Sequence, residues 1–221
     1  SSSTTSTIGG NSMGNTIAYN GDVTSEHGIY LYSSATDGHR ILNNSIFQNQ
    51  GKGIRLTTGT NNDKAVPSIT SQSNGSATQI TGTTAAGDTV QVFDASIDSE
   101  GETYLGETTA DASGSWGFTL ASPYNTAGNI LVTTATDAIN GTSAFSSAYT
   151  VTANVAPTAE DGEVSTTEDV ASTIVLTATD PDSTTLVYTI ASTTEHGTLG
   201  EPDSGGSLTY TPTADYNGTD S

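Results

Sequence analysis

The carboxylates are the residues through which this chain could do chemistry. Of 24 acidic residues, 20 follow Lys64, and no Lys or Arg follows it at all. Asp180-Pro181-Asp182 sets two carboxylates two positions apart on a turn, and Glu168-Asp169 supplies a second adjacent pair. Ca²⁺ takes six to eight oxygens from carboxylates, main-chain carbonyls and water. Glu168, Asp169, Asp180 and Asp182, with a linker carbonyl near Asn154, could assemble such a set and are the expected metal ligands. Asp also suits tight turns for its own hydrogen-bonding reasons, so a solvated-turn role is the competing reading.

The remaining candidates are weaker. Asp94, Asp98, Glu100 and Glu102 crowd one stretch without the D-x-D-x-D-G spacing of a calcium loop, and they are expected to form an acidic loop without a bound ion. Asp215, Asn217 and Asp220 are expected in a turn. Glu26-His27 and Asp37-Gly38-His39-Arg40 fall in expected loops that could lie close together, and His196 before Gly197 reads as a turn or strand-edge residue. Glycan cleavage needs paired carboxylates facing a groove, or a carboxylate, a calcium and a base. The first 64 residues offer only Asp22, Glu26, Asp37 and Asp63, among dispersed Arg40, Lys52, Arg55 and Lys64. No G-x-S-x-G, H-E-x-x-H or phosphate-binding G-x-x-x-x-G-K-[ST] occurs, and no enzyme activity is expected.

Charge and composition narrow the partners. The formal net charge of −20 repels nucleic acid and anionic membranes and favours hard cations. Neither nucleic-acid binding nor direct membrane insertion is expected, since no apolar run approaches the roughly 20 residues that span a bilayer. Cysteine is absent, which removes disulfides and thiolate chemistry and leans toward a bacterial exported protein. The chain reads as an internal fragment of an extracellular or cell-surface protein whose export signal is encoded elsewhere.

These residues need elements to position them, and every pattern is that of short strands. Hydrophobic content of 32% with four Phe and one Trp suits several thin cores, and no stretch has helical spacing. In residues 1–63, Asn15-Thr16-Ile17-Ala18-Tyr19-Asn20-Gly21 returns as Asn44-Ser45-Ile46-Phe47-Gln48-Asn49-Gln50-Gly51. Gly28-Ile29-Tyr30-Leu31-Tyr32 likewise returns as Gly53-Ile54-Arg55-Leu56-Thr57. Such a return suits a solenoid whose inward Ile and Leu stack in columns. The N-x-I-x-x-N motif resembles the right-handed parallel β-helix repeats of bacterial secreted proteins. Asn61 to Pro67 is expected to be a polar linker.

Residues 64–153 carry about seven short alternating runs between Gly, Asn, Asp and Ser turns, the pattern of a β-sandwich with Phe93, Trp116 and Phe118 in its core. Ile80-Thr81-Gly82-Thr83, Tyr104-Leu105-Gly106, Ala135-Thr136-Asp137 and Ser143-Ala144-Phe145-Ser146 resemble the Ig-like module that follows a β-helix in bacterial surface proteins. The two sandwich modules are read as having no Lys, which would close the Lys–Asn or Lys–Asp isopeptide route to stiffness. Residues 154–221 resemble a cadherin-like tandem repeat through Ser165-Thr166-Thr167-Glu168-Asp169, Leu176-Thr177-Ala178-Thr179-Asp180-Pro181-Asp182, Leu186 to Ile190, His196-Gly197-Thr198-Leu199 and Leu208-Thr209-Tyr210-Thr211-Pro212. That resemblance implies calcium at the Glu-Asp pair and the Asp-Pro-Asp turn. It also implies one further aromatic-rich strand, so this module is expected to be incomplete, with its last strand missing.

The expectation is an all-β chain: C-terminal coils of a right-handed parallel β-helix, followed by two β-sandwich modules, Ig-like and cadherin-like. It would act as an adhesive stalk with calcium-stabilised junctions. Self-association into a filament, or binding of surface glycans through Tyr19, Tyr30, Tyr32 or Tyr104 by a glycan module or a remnant of a polysaccharide-acting β-helix, are the alternatives.

Overall fold

A computed structural model describes residues 5–10, 14–22, 26–32, 37–74, 77–96, 98–183 and 185–221. The chain divides into two compact units, Ser1–Ala153 and Asn154–Ser221. Among the described residues all regular structure in both is strand, apart from one short turn of 3₁₀ type at Thr60–Asp63.

The first unit opens with six three-residue strands: β1 (Thr7–Gly9), β2 (Thr16–Ala18), β3 (Ile29–Leu31), β4 (Arg40–Leu42), β5 (Ser45–Phe47) and β6 (Ile54–Leu56). They pair in parallel as β1 with β4, β2 with β5 and β3 with β6, in the registers Ile8↔Ile41, Ile17↔Ile46 and Ile29↔Ile54. The repeated Ile therefore stack Ile on Ile, and Ile29, Ile41, Ile46 and Ile54 form a buried cluster with Ile8, Ile17, Leu31 and Leu56 beside it. Strands this short bury little surface alone, so the pairing depends on neighbours above and below.

The corners explain the Asn-rich sequence. Asn44 Oδ1 accepts from both the backbone N and the Nδ2 of Asn15, each at 3.0 Å, and Asn49 Oδ1 accepts from Asn20 Nδ2 at 2.8 Å. Asn44 Nδ2 then donates to Ile8 O and Asn49 Nδ2 to Ile17 O, so each amide closes the turn above it. Tyr19, Asn43 and Gln48 take positive φ values of 58°, 58° and 52° at these corners. The backbone groups that short strands leave exposed are thus satisfied by side chains.

The sandwich of the same unit is built from β7 (Ser68–Asn74), β8 (Thr78–Thr83), β9 (Thr89–Asp94), β10 (Thr103–Thr109), β11 (Ser115–Thr119), β12 (Ile130–Asp137), β13 (Gly141–Thr142) and β14 (Tyr149–Thr150). One antiparallel sheet runs β11-β8-β7; the other runs β10-β9-β12-β13, with β14 also pairing with β12. Ile80, Val90, Val92, Ala110, Trp116, Leu120, Leu131 and Val151 fill the space between them. Gly82 sits where an added Cβ would lie 1.9 Å from Ser68 O and 2.3 Å from Trp116 Cζ2, so the Trp116 ring occupies the space that a side chain would take. Phe93 joins a different cluster with Ala95, Val132 and Phe145 rather than the Trp116 core.

The segment expected as a polar linker is instead packed. Asn61, Asn62 and Asp63 take φ values of 49°, 52° and 51°, a left-handed conformation that short polar side chains tolerate. Asn61 is fully buried: its Nδ2 donates to His39 O (2.8 Å) and Thr142 O (2.9 Å), and its Oδ1 accepts from His39 N (2.9 Å).

The second unit has β15 (Thr158–Ala159) paired antiparallel with β17 (Ala178–Thr179), and a three-stranded sheet of β16 (Ser172–Val175), β19 (Ser207–Pro212) and β18 (Gly197–Leu199) in the order β16-β19-β18. Its core is thin. Among the described residues Leu208 is its buried large hydrophobic, while Val170, Val175 and Val187 are more than half exposed.

Candidate functional site

The expected calcium ligands fall at two places in the second unit. Asp180 Oδ1 accepts from Asp182 N (3.1 Å) and Ser183 N (3.2 Å), which folds the Asp-Pro-Asp turn on itself. Asp182 Oδ2 accepts from Val155 N at 3.0 Å, bringing the segment that begins at Asn154 against this turn. The Glu168-Asp169 pair has other ties. Asp169, at φ 63°, accepts from Asp215 N at 2.9 Å, across to the turn after β19. Among the described residues no three His, Asp or Glu side chains gather as metal ligands. Asp182 thus meets the Asn154 segment through the Val155 N–H, while Asp169 is tied to the turn after β19.

The Asp215–Asp220 stretch is a structural turn. Asp220 accepts from Glu195 N, His196 N and the Tyr210 hydroxyl at 2.9 to 3.1 Å, and His196 stacks on Tyr216 with ring centroids 4.0 Å apart.

The acidic loop of residues 98–102 has a role that spacing did not reveal. It lies on the free side of β5, where Gly101 O accepts from Ile46 N (2.7 Å) and Glu102 O accepts from Ser45 Oγ (2.5 Å). Asp98 accepts from Gln48 N. Glu100 Oε2 accepts from Asn49 N (3.1 Å) and Asn49 Nδ2 (2.9 Å), so a carboxylate continues the ladder that Asn20 and Asn49 begin. Glu100 is only 5% exposed, and burial raises its pKa above the carboxylate norm despite the Asn49 bonds; Asp98 adds to the rise.

β4 is covered in the same manner. Thr142 Oγ1 accepts from Ile41 N at 2.9 Å and Thr142 N donates to His39 O at 2.9 Å. Phe145 closes the arrangement, packing edge-on to Phe93 (centroids 5.5 Å apart) and against the Ile cluster. An added Cβ on Gly53 would lie 2.9 Å from the Phe145 ring, so this approach requires glycine.

Lys64 fixes the chain at the junction. Its Nζ lies 2.5 Å from Asp88 Oδ1 and 2.7 Å from Asp137 Oδ2, and its side chain is 6% exposed. Burial opposes its charge, but the hydrogen bonds and charges of Asp137 and Asp88 outweigh it and raise its pKa. Asp137 is held well below the carboxylate range: its own desolvation is outweighed by donors from Asn140, Lys64 and Ile139. The sandwich module therefore does hold a Lys, contrary to the expectation from sequence: Lys64 reaches in from the segment before β7.

The two His-containing pairs have separate partners. Glu26 Oε2 accepts from Asp22 N and His27 contacts Lys52 N and Arg55, whereas Asp37 accepts from Asn62 N and His39 Nδ1 from Ser6 N.

Short parallel strand pairs are followed by antiparallel Ig-like sheets, and the polar contacts described above fix backbone. Residues 154–221 match the family of the bacterial Ig domain. That match makes the chain an extracellular or cell-surface bacterial protein. Among solved structures it is similar to the BSP domain of a biofilm associated protein, with 31% identity, covering 40% of this chain and 14% of that one, at a TM-score of 0.33. No curated protein matches. The bacterial Ig domain is a broader class than the cadherin-like repeat that the motifs suggest, and it spans the same residues.

Proposed function

We propose that this chain is a structural segment of a bacterial surface adhesin, in which the last coils of a parallel β-helix end directly on an Ig-like sandwich and a cadherin-like Ig module follows. The observation that carries this reading is the seat of residues 98–102 and Thr142 on β5 and β4, where sandwich atoms take the positions that a further coil would fill. Repeated strands, three parallel registers and an Asn ladder support the β-helix. A coil end sealed by the next domain resists fraying and passes tension between them, as a spacer requires.

Mechanical pulling of the whole chain tests it. Full extension at about 3.3–3.6 Å per residue gives one release on the order of 500 Å from residues 1–153 and one of roughly 230 Å from residues 154–221. Featureless extension at low force would refute a mechanical role.

Calcium belongs to this proposal as a ligand of the Asp180-Pro181-Asp182 turn, with carbonyl and water oxygens completing the set. Self-association is the second reading.

A further inference from the structure

The chain's positive charge is scarce, and two of its four cations meet on one surface. Tyr30 and Arg55 are register partners on β3 and β6, both pointing outward. The Arg55 guanidinium carbon lies 5.4 Å from the Tyr30 ring centroid. Tyr30 stands edge-on to Tyr32 at 5.9 Å and to His27 at 5.4 Å. Tyr30 and Tyr32 are 48% and 74% exposed, so these rings are not core residues. Arg55 and Lys52 also line an open cavity of about 470 Å³ along β6, together with Leu56, Thr57 and Asp63. Among the described residues neither Lys52 nor Arg55 makes an ion pair.

The His27 ring shows what this surface lacks. Its Nδ1 lies 2.7 Å from the Lys52 backbone N–H and its Nε2 lies 2.9 Å from Arg55 Nη1, and both neighbours are donors. A neutral imidazole has one acceptor nitrogen and one N–H, so in either tautomer that N–H faces another donor. An anionic oxygen beside Nε2 would accept from both His27 and Arg55 and relieve that opposition. A carboxylate matches the planar guanidinium fork.

We propose that His27, Tyr30, Tyr32, Lys52 and Arg55 form a binding surface for an acidic polysaccharide, with sugar carboxylates on the Arg55, His27 and Lys52 donors and sugar rings against Tyr30 and Tyr32. The exposed aromatic faces favour a sugar polymer over an acidic peptide, because stacked rings add nothing for a carboxylate on a flexible chain. The net charge of −20 repels dense polyanions such as nucleic acid, while at physiological salt it is screened over about 8 Å and short-range donors decide binding. This site stands independently of the spacer role.

The test is calorimetric titration of the full chain with alginate oligosaccharide, maltooligosaccharide of equal length and poly-L-glutamate. Binding of alginate alone is expected, weakened about tenfold or more both by Lys52→Gln with Arg55→Gln and by Tyr32→Ala, in variants that melt like the parent. Absence of alginate binding overturns the proposal. Equal binding of polyglutamate, unaffected by Tyr32→Ala, overturns it in favour of an acidic protein partner.

Discussion

At the scale of single residues, polar groups rather than hydrophobic ones decide where this chain is vulnerable. Lys64 neutralises two carboxylates, one 2% exposed, and its removal leaves both without their cation. Lys64→Met is expected to cost about 3–5 kcal/mol, read from chemical denaturation followed by Trp116 fluorescence. Glu100 behaves in the opposite sense. Its folded-state pKa is raised, so the stability linked to its proton is fully present below the unfolded carboxyl value of 4.5 and is lost as pH rises through the folded value. Glu100→Gln, which keeps the Asn49 contacts without the charge, is therefore expected to melt higher than the parent at neutral pH. The difference should shrink as pH falls, and melting curves over a pH series would show it. Asn44→Ala removes an amide that serves three backbone or side-chain partners and should cost about 1–3 kcal/mol.

At the scale of elements, the strands were legible in sequence because each obeys a local rule. The Asn-x-Ile and Gly-Ile returns match the registers of β2 with β5 and of β3 with β6, and short runs between Gly, Asn, Asp and Ser turns match the antiparallel strands of the sandwich. What sequence could not show is how loops pair with distant strands. Asp98 to Glu102 reads as an acidic loop because contacts to residues about 50 positions away leave no periodic trace, yet it is the cap on β5. Asn61 reads as linker for the same reason: its partners are His39 and Thr142. The expected metal residues were only partly joined, since the Asp180 turn meets the Asn154 segment while Asp169 is engaged with Asp215. Replacing residues 98–102 with a Gly-Ser stretch of equal length should expose the β5 edge. The expected result is a lower melting temperature and concentration-dependent larger species on size exclusion; an unchanged monomer would show that the edge needs no cover.

At the scale of the molecule, 20 carboxylates beyond Lys64 with no Lys or Arg among them lead to a test of the proposed calcium role. Calcium at about 100 times its dissociation constant adds about 2.7 kcal/mol, on the order of 10 °C in melting temperature for a unit of this size. That rise should vanish on chelation and in Asp180→Ala with Asp182→Ala, and equal melting with calcium and chelator would remove calcium from the account. The division of labour between the parallel strands and the sandwich is more fundamental, because the spacer role depends on their yielding together. Native-state hydrogen exchange on the full chain tests it most directly. The account predicts that the amides of Ile41, Ile46 and Thr142 open with the same free energy as those of Val92 and Leu131 in the sandwich core. Exchange of Ile41 and Ile46 at a much lower free energy, while Val92 and Leu131 stay protected, would contradict it.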